Sequence, residues 1–153
     1  MQNLKERRKT SPGHKVSRLA RLLALQVERT AAPLGIGHGQ VPYMCELLYH
    51  GRLTQDELGA LVGVNRSATA RAVALLERKG LVSRCENPQN RRQKFVSPTA
   101  RACELETAFF AALDTNNEVM FRGLSTQERS MALELLEKMA VNLDAELRGE
   151  GAA

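Results

Sequence analysis

The stretch that decides the fold is Leu53–Gly80, LTQDELGALVGVNRSATARAVALLERKG. Thr54 is followed three residues on by Glu57. At that spacing a threonine hydroxyl accepts from an early helical amide while the glutamate reaches back to the cap. Leu53 and Leu58 flank the cap at the spacing of a hydrophobic staple. Leu58, Leu61 and Val62 supply a buried face, and Gly63 permits the left-handed conformation that closes the helix. Asn65 then caps a second helix, expected over about Arg66 to Lys79 and stopped by Gly80. Ala72, Val73, Leu75 and Leu76 form its apolar face. Arg66, Ser67, Thr69 and Arg71 give its first two turns a polar set with few bulky groups. A capped helix, a tight glycine turn and a second helix with a polar front half together read as a helix-turn-helix.

The residues that follow extend the motif. LVSRCEN, PQNRRQK and FVSP run from Leu81 to Pro98. Leu81 and Val82 open one short strand, and Phe95 and Val96 sit in a second. Asn87, Pro88 and Asn90 supply turn chemistry between them. Arg91, Arg92 and Lys94 fall near the hairpin tip, and Arg84 lies on the first strand. A two-stranded ribbon with a basic tip, directly after a helix-turn-helix, is a wing.

Helices flank this lobe on both sides. Residues 1–13 read as a flexible basic arm ending at Pro12-Gly13. Val16, Leu19, Leu22, Leu23 and Val27 then fall three or four apart in a helix from His14 to about Ala32, with Ala24 and Leu25 widening its apolar face. A second helix is expected from about Gly39 to His50, with Val41, Met44, Leu47 and Leu48 on one face. Arg52-Leu53 suits a small strand or a turn. Downstream, Ser97 as cap and Pro98 in the first turn restart a helix. Leu124-Ser125 breaks it, and Ser125 with Glu128 forms another capping box. The last helix carries Leu133, Leu136, Ala140, Leu143 and Leu147 in one row, with Met131, Leu135 and Met139 beside it. That is more apolar surface than one small domain readily covers. The tail 149–153 reads as disordered. The division is therefore an arm (1–13), N-terminal helices (14–51), a winged lobe (52–97), C-terminal helices (98–148) and a tail. The fold class is mainly α with a small β-wing.

Charge is distributed in blocks. Residues 1–21 carry a net +6, 22–64 a net −2, 65–99 a net +6 and 100–153 a net −5, within a whole-chain charge of +5. The second basic block coincides with the helix-turn-helix and wing, which makes it a footprint for phosphate. Aromatics are 4% with no Trp, too few for stacking platforms, so duplex DNA is the favoured polymer over single strands or RNA. Cys45, Cys85 and Cys103 form no C-x-x-C pair and have no nearby His at metal-ligand spacing. No metal, cofactor or disulfide framework is expected. Unpaired thiols, a polar N-terminus and the lack of a long apolar run suggest a cytoplasmic protein with no membrane role. No nucleophile–base pair or phosphate-binding glycine loop is present, and no enzyme activity is expected.

Residues 53–84 and NPQNRRQKFVSPTARA (87–102) resemble the core and wing of the MarR family of winged helix-turn-helix regulators. The resemblance implies a two-fold dimer built on the first and last helices, binding duplex DNA. It implies a transcriptional regulator, most simply a repressor on a palindromic operator, released by a small aromatic or anionic effector. Candidate DNA contacts are Asn65, Arg66, Ser67, Thr69, Arg71, Arg84, Arg91, Arg92 and Lys94. His14, Arg18, His38, Tyr43 and Met44 lie on the segments where the family's effectors bind. Two other readings remain open: a redox regulator sensing through a thiol such as Cys45 or Cys103, and a sequence-indifferent architectural binder. The sequence departs from the family at Asn90, where an Asp usually stands two residues before the wing arginine, and at Ala100, where a Gly is usual. Asn90 can hold the turn by hydrogen bonding but cannot ion-pair with Arg92.

Overall fold

The computed structural model describes residues 9–149, and the chain divides after Asn116 into two compact units. The first unit opens with helix α1, Pro12–Ala31. Ser11 is extended and its hydroxyl accepts from the His14 amide at 3.3 Å, while Pro12 sits in the first turn, where its missing N–H is no loss. This corrects the expected arm: Pro12-Gly13 begins the helix instead of ending the arm, and Lys9 and Thr10 are helical too. The remainder of the arm, residues 1–8, lies outside the described residues. Two single 3₁₀ turns, Ala32–Leu34 and His38–Gln40, carry the chain to α2, Val41–His50.

The decisive stretch folds largely as its caps dictate. Leu53–Thr54 form the short strand β1, and α3 follows at Gln55–Val62. The Thr54 hydroxyl accepts from the Glu57 amide at 3.2 Å, and the Glu57 carboxylate accepts from the Thr54 amide at 2.7 Å. Gly63 closes α3 in the left-handed conformation, φ 72°. Helix α4 spans Arg66–Arg78. Strands β2 (Val82–Asn87) and β3 (Asn90–Pro98) pair antiparallel, and β1 adds to the other side of β3, giving the order β1-β3-β2. Cys85 pairs with Phe95, Arg84 with Val96, and a bulge falls between Glu86 and Asn87.

Ser97-Pro98 does not start the next helix. Ser97 pairs with Ser83 and Pro98 with Val82, so both belong to β3. A residue preceding proline is driven towards extended backbone, which favours continuing the strand. Thr99 instead caps α5, Ala100–Met120, its hydroxyl accepting from the Ala102 amide at 3.3 Å.

One core serves the whole first unit. It takes Val27 and Ala31 from α1, Tyr43, Met44 and Leu47 from α2, Leu58 from α3, Val73 and Leu76 from α4, Val82 and Val96 from the sheet, and Ala102 and Phe109 from α5. Each fully buried Leu or Val contributes about 1.5–3 kcal/mol relative to exposure, so this cluster fixes where α4 and the sheet sit. Leu61 and Leu75, expected in the core, are exposed instead; Gly59 and Thr69 take the buried positions.

The second unit holds the end of α5, a turn, and α6 at Thr126–Arg148. The Ser125 hydroxyl accepts from the Glu128 amide at 3.3 Å, and the Glu128 carboxylate accepts in return from the Ser125 amide at 2.8 Å. No described residue of α6 is buried. Gly149 closes the helix; residues 150–153 of the expected tail lie outside the described residues.

Candidate nucleic-acid interface

The front of α4 is held by its cap. Asn65 Oδ1 accepts from the Ala68 amide at 2.9 Å, which satisfies one orphan donor and sets where the helix begins. Arg66, Ser67 and Arg71 are exposed beyond that cap. Arg66 faces Asp56 of α3, its Nε 3.2 Å from Oδ1.

Thr69 is a correction. Its side chain is fully buried, and its hydroxyl donates to the Asn65 carbonyl at 3.1 Å. It packs against Gly59, where a Cβ would come within 2.8 Å of Thr69 Oγ1. Thr69 is thus the wedge between α3 and α4 and offers nothing to a groove. The residue that sequence reasoning missed here is Gly59, whose lack of a side chain lets the two helices close.

The wing tip carries Arg91, Arg92 and Lys94, all exposed. Asn87 Oδ1 accepts from the Gln89 amide at 3.0 Å, and Asn90 Oδ1 accepts from the Arg92 amide at 3.2 Å. Asn90 therefore supports the turn through the Arg92 backbone and leaves the Arg92 guanidinium unengaged. Arg84 is different. Its Nε donates to Glu77 Oε2 at 3.0 Å and its Nη2 contacts the same oxygen, tying β2 to the rear half of α4. That hydrogen bond draws the Glu77 carboxyl below the ordinary carboxylate range and raises the Arg84 guanidinium. Arg84 thus braces β2 against α4, and at 28% exposure its head group has less reach to a DNA surface than the wing-tip cations.

The five candidate effector residues do not converge. Tyr43 and Met44 are core residues, 4% and 1% exposed, so their expected place in a cleft is corrected to packing. His14 and Arg18 lie on the open surface of α1, and His38 on a 3₁₀ turn, its amide donating to Glu28 Oε2 at 3.0 Å. A cleft of about 480 Å³ is lined instead by Glu28, Ile36, Arg78, Lys79, Leu81 and Arg101, among others, and by none of those five.

Cys45 is half-buried, and burial, followed by the neighbouring Glu46 charge, pushes its thiol upward. That shift works against the thiolate form on which oxidation depends. Cys85 and Cys103 are exposed. Among the described residues no group of three or more His, Cys, Asp or Glu is placed to hold a metal ion, and no helix is long and apolar enough to cross a membrane.

Comparison with known proteins bears on this lobe directly. Residues 36–94 match the model of the MarR family. An uncharacterized HTH-type transcriptional regulator of Bacillus subtilis, YybA, is 23% identical over 111 residues, covering 72% of this chain and 74% of that protein. A MarR transcriptional regulator from Methanosarcina mazei superposes with a TM-score of 0.78 at 27% identity, over 85% of this chain and 94% of that one. The PcaV transcriptional regulator of Streptomyces coelicolor, solved with its natural ligand, superposes at 0.77 and 23% identity, over 87% of this chain and 94% of that one. The capped helix pair, the basic wing and these matches agree: residues 36–94 match the MarR family, and the chain has the fold of that family's winged helix-turn-helix transcriptional regulators.

Proposed function

We propose that this regulator is a repressor that binds a palindromic operator as a homodimer and is released by a small anionic or aromatic molecule. The observation that carries the reading is the set of exposed cations on the front of α4 and on the wing. Arg66 and Arg71 lie on the front half of α4 and Arg91, Arg92 and Lys94 on the wing, all outside the core. A helix of this kind enters the major groove by its N-terminal half, and a wing cation reaches the backbone or the minor groove. Arg66, Ser67 and Arg71 are the groove-facing set, Arg91, Arg92 and Lys94 the wing set, while Asn65 acts through its cap.

Dimerisation is supported by uncovered apolar surface on two helices. Val16, Leu19, Leu22 and Leu25 of α1 are exposed, as are Met131, Leu135, Leu136, Leu143 and Leu147 of α6. Rows of this size ask for a partner, and a second copy would place two recognition helices about 34 Å apart on an inverted repeat. Release by a small molecule is supported by PcaV, solved with its natural ligand, and by the cleft rimmed by Arg78, Lys79 and Arg101. Its volume lies in the range of small-molecule sites.

The test is selection of bound DNA from a random pool, followed by titration of selected and random duplexes across salt. A repressor of this kind prefers one palindrome by roughly 10³-fold or more. Equal affinity for all duplexes would leave an architectural binder, and no binding at low salt would refute both.

A further inference from the structure

We infer that Asp56 is a specificity-determining positioning residue, which aims the Arg66 guanidinium at a base edge while touching no DNA itself. The inference rests on the DNA-reading face proposed above. Asp56 lies in the first turn of α3 and Arg66 in the first turn of α4, on either side of the helix-turn-helix corner. Arg66 Nε lies 3.2 Å from Asp56 Oδ1, and Arg66 Nη2 donates to Asp56 Oδ2 at 3.4 Å. The carboxylate thus takes the side-on edge of the guanidinium. The end-on edge, formed by Nη1 and the second hydrogen of Nη2, stays open.

That open edge is the one that matters for reading. Two parallel N–H groups match the O6 and N7 acceptors of guanine in the major groove. An arginine free to rotate must be ordered when it binds; one already gripped along its other edge has given up that freedom in advance. The Arg66 side chain is 71% exposed, and among the described residues Asp56 alone holds its head group. The two helices that carry the pair are themselves locked by the buried Thr69 against Gly59, which keeps the anchor in place. Asp56 is placed by its helix for a second reason, since an acid in the first turn favours the α3 dipole.

An acid beside a DNA surface also repels phosphate, and charge must be separated from aim. Asp56→Asn and Asp56→Ala remove the same charge, but only Asn keeps an oxygen that can accept from Arg66 Nε. The experiment measures affinities of the wild type, both Asp56 variants and Arg66→Ala for the selected operator. It repeats them for every single base-pair change in one half-site and for a random duplex, after circular dichroism has shown each variant folded. The wild type should prefer G·C at one position by roughly fivefold to 150-fold, and Arg66→Ala should abolish that preference alone. Asp56→Ala should reduce the same preference by roughly two- to tenfold while random-duplex binding holds or tightens. Asp56→Asn should fall between Asp56→Ala and the wild type. If Asp56→Ala tightens binding to every duplex equally and keeps the full preference, Asp56 is only a repelling charge and the inference is wrong. If Arg66→Ala changes no preference and no affinity, the reading of the α4 front face fails first, and the role of Asp56 with it.

Discussion

Thr69 Oγ1 occupies the space that a side chain on residue 59 would need: a Cβ built on Gly59 comes within 2.8 Å of it. Gly59 lies in mid-helix, where alanine would ordinarily gain up to about 1 kcal/mol in helix propensity. Here the neighbour is a short, buried side chain that cannot swing away. Gly59→Ala should therefore destabilise the protein by about 1–3 kcal/mol. Thr69→Ala in the same chain should recover part of that stability, because it removes the clashing oxygen. Urea unfolding of the two single variants and the double variant checks this, and strict additivity would rule out the clash as the cause.

Arg92 and Arg84 of the wing region should behave differently in salt. Arg92→Ala should weaken DNA binding and lower the slope of log affinity against log salt by about 0.9 for each phosphate that Arg92 neutralises. Arg84→Ala should leave that slope unchanged, because the Arg84 guanidinium is committed to Glu77. Its effect should be a modest fall in stability, about 1 kcal/mol or less for a half-exposed pair. A slope that drops as far for Arg84 as for Arg92 would return Arg84 to the DNA surface.

Acid should weaken the fold through its capping boxes. Hydrogen bonds from Thr54 hold the Glu57 carboxyl below its ordinary value of 4.5, and those from Ser125 do the same for Glu128. A depressed carboxylate contributes stability that is complete above its unfolded value and is lost as pH falls through its folded one. Denaturation midpoints should thus be insensitive to these groups at neutral pH and should decline below about pH 4.5. Glu57→Gln should show a shallower decline over that window. An identical acid limb in the variant would mean that the box has no weight in the pH response.

The exposed leucines of α6 should matter for assembly and not for folding. Leu143 and Leu147 are 68% and 86% exposed and belong to no core cluster. Leu143→Glu should shift the protein towards monomer in sedimentation while leaving helical content intact. DNA affinity should fall in parallel, since one lobe alone reads half a palindrome. A variant that sediments like the wild type would take this row out of the dimer interface.

How far the sequence could be read depended on whether a residue acts locally or across the fold. Thr54 with Glu57, Asn65 and Ser125 with Glu128 act within one turn of chain, and each cap forms where the spacing puts it. Thr69 acts across two helices, and as a polar residue beside two arginines it reads as surface. A signal was present: Thr69, Val73 and Leu76 fall four and three apart, and these three are the buried residues of α4. Ser97-Pro98 carries the local signature of a helix start, yet pairing with Val82 and Ser83 claims both residues for the sheet. Tyr43 and Met44 enter the effector reading through the family resemblance alone; Met44 already lies on the apolar face of its helix, and the assembled core buries both.

The rear of α4 is fastened to α5, as its front is fastened to α3. The Thr99 hydroxyl donates to the Gly80 carbonyl at 2.7 Å, and Arg101 Nη1 donates to the Lys79 carbonyl at 3.0 Å. Both donors stand at the start of α5, so α4 and α5 meet at a pinned joint. A rotation of α5 is then delivered to α4 as a pivot about its last turn. Thirteen residues of helix at 1.5 Å each make that lever about 20 Å long. A tilt of a few degrees at the pin, carried by α3 and α4 together because Thr69 seats against Gly59, displaces Arg66 by about an ångström or more, enough to spoil the register of a base contact.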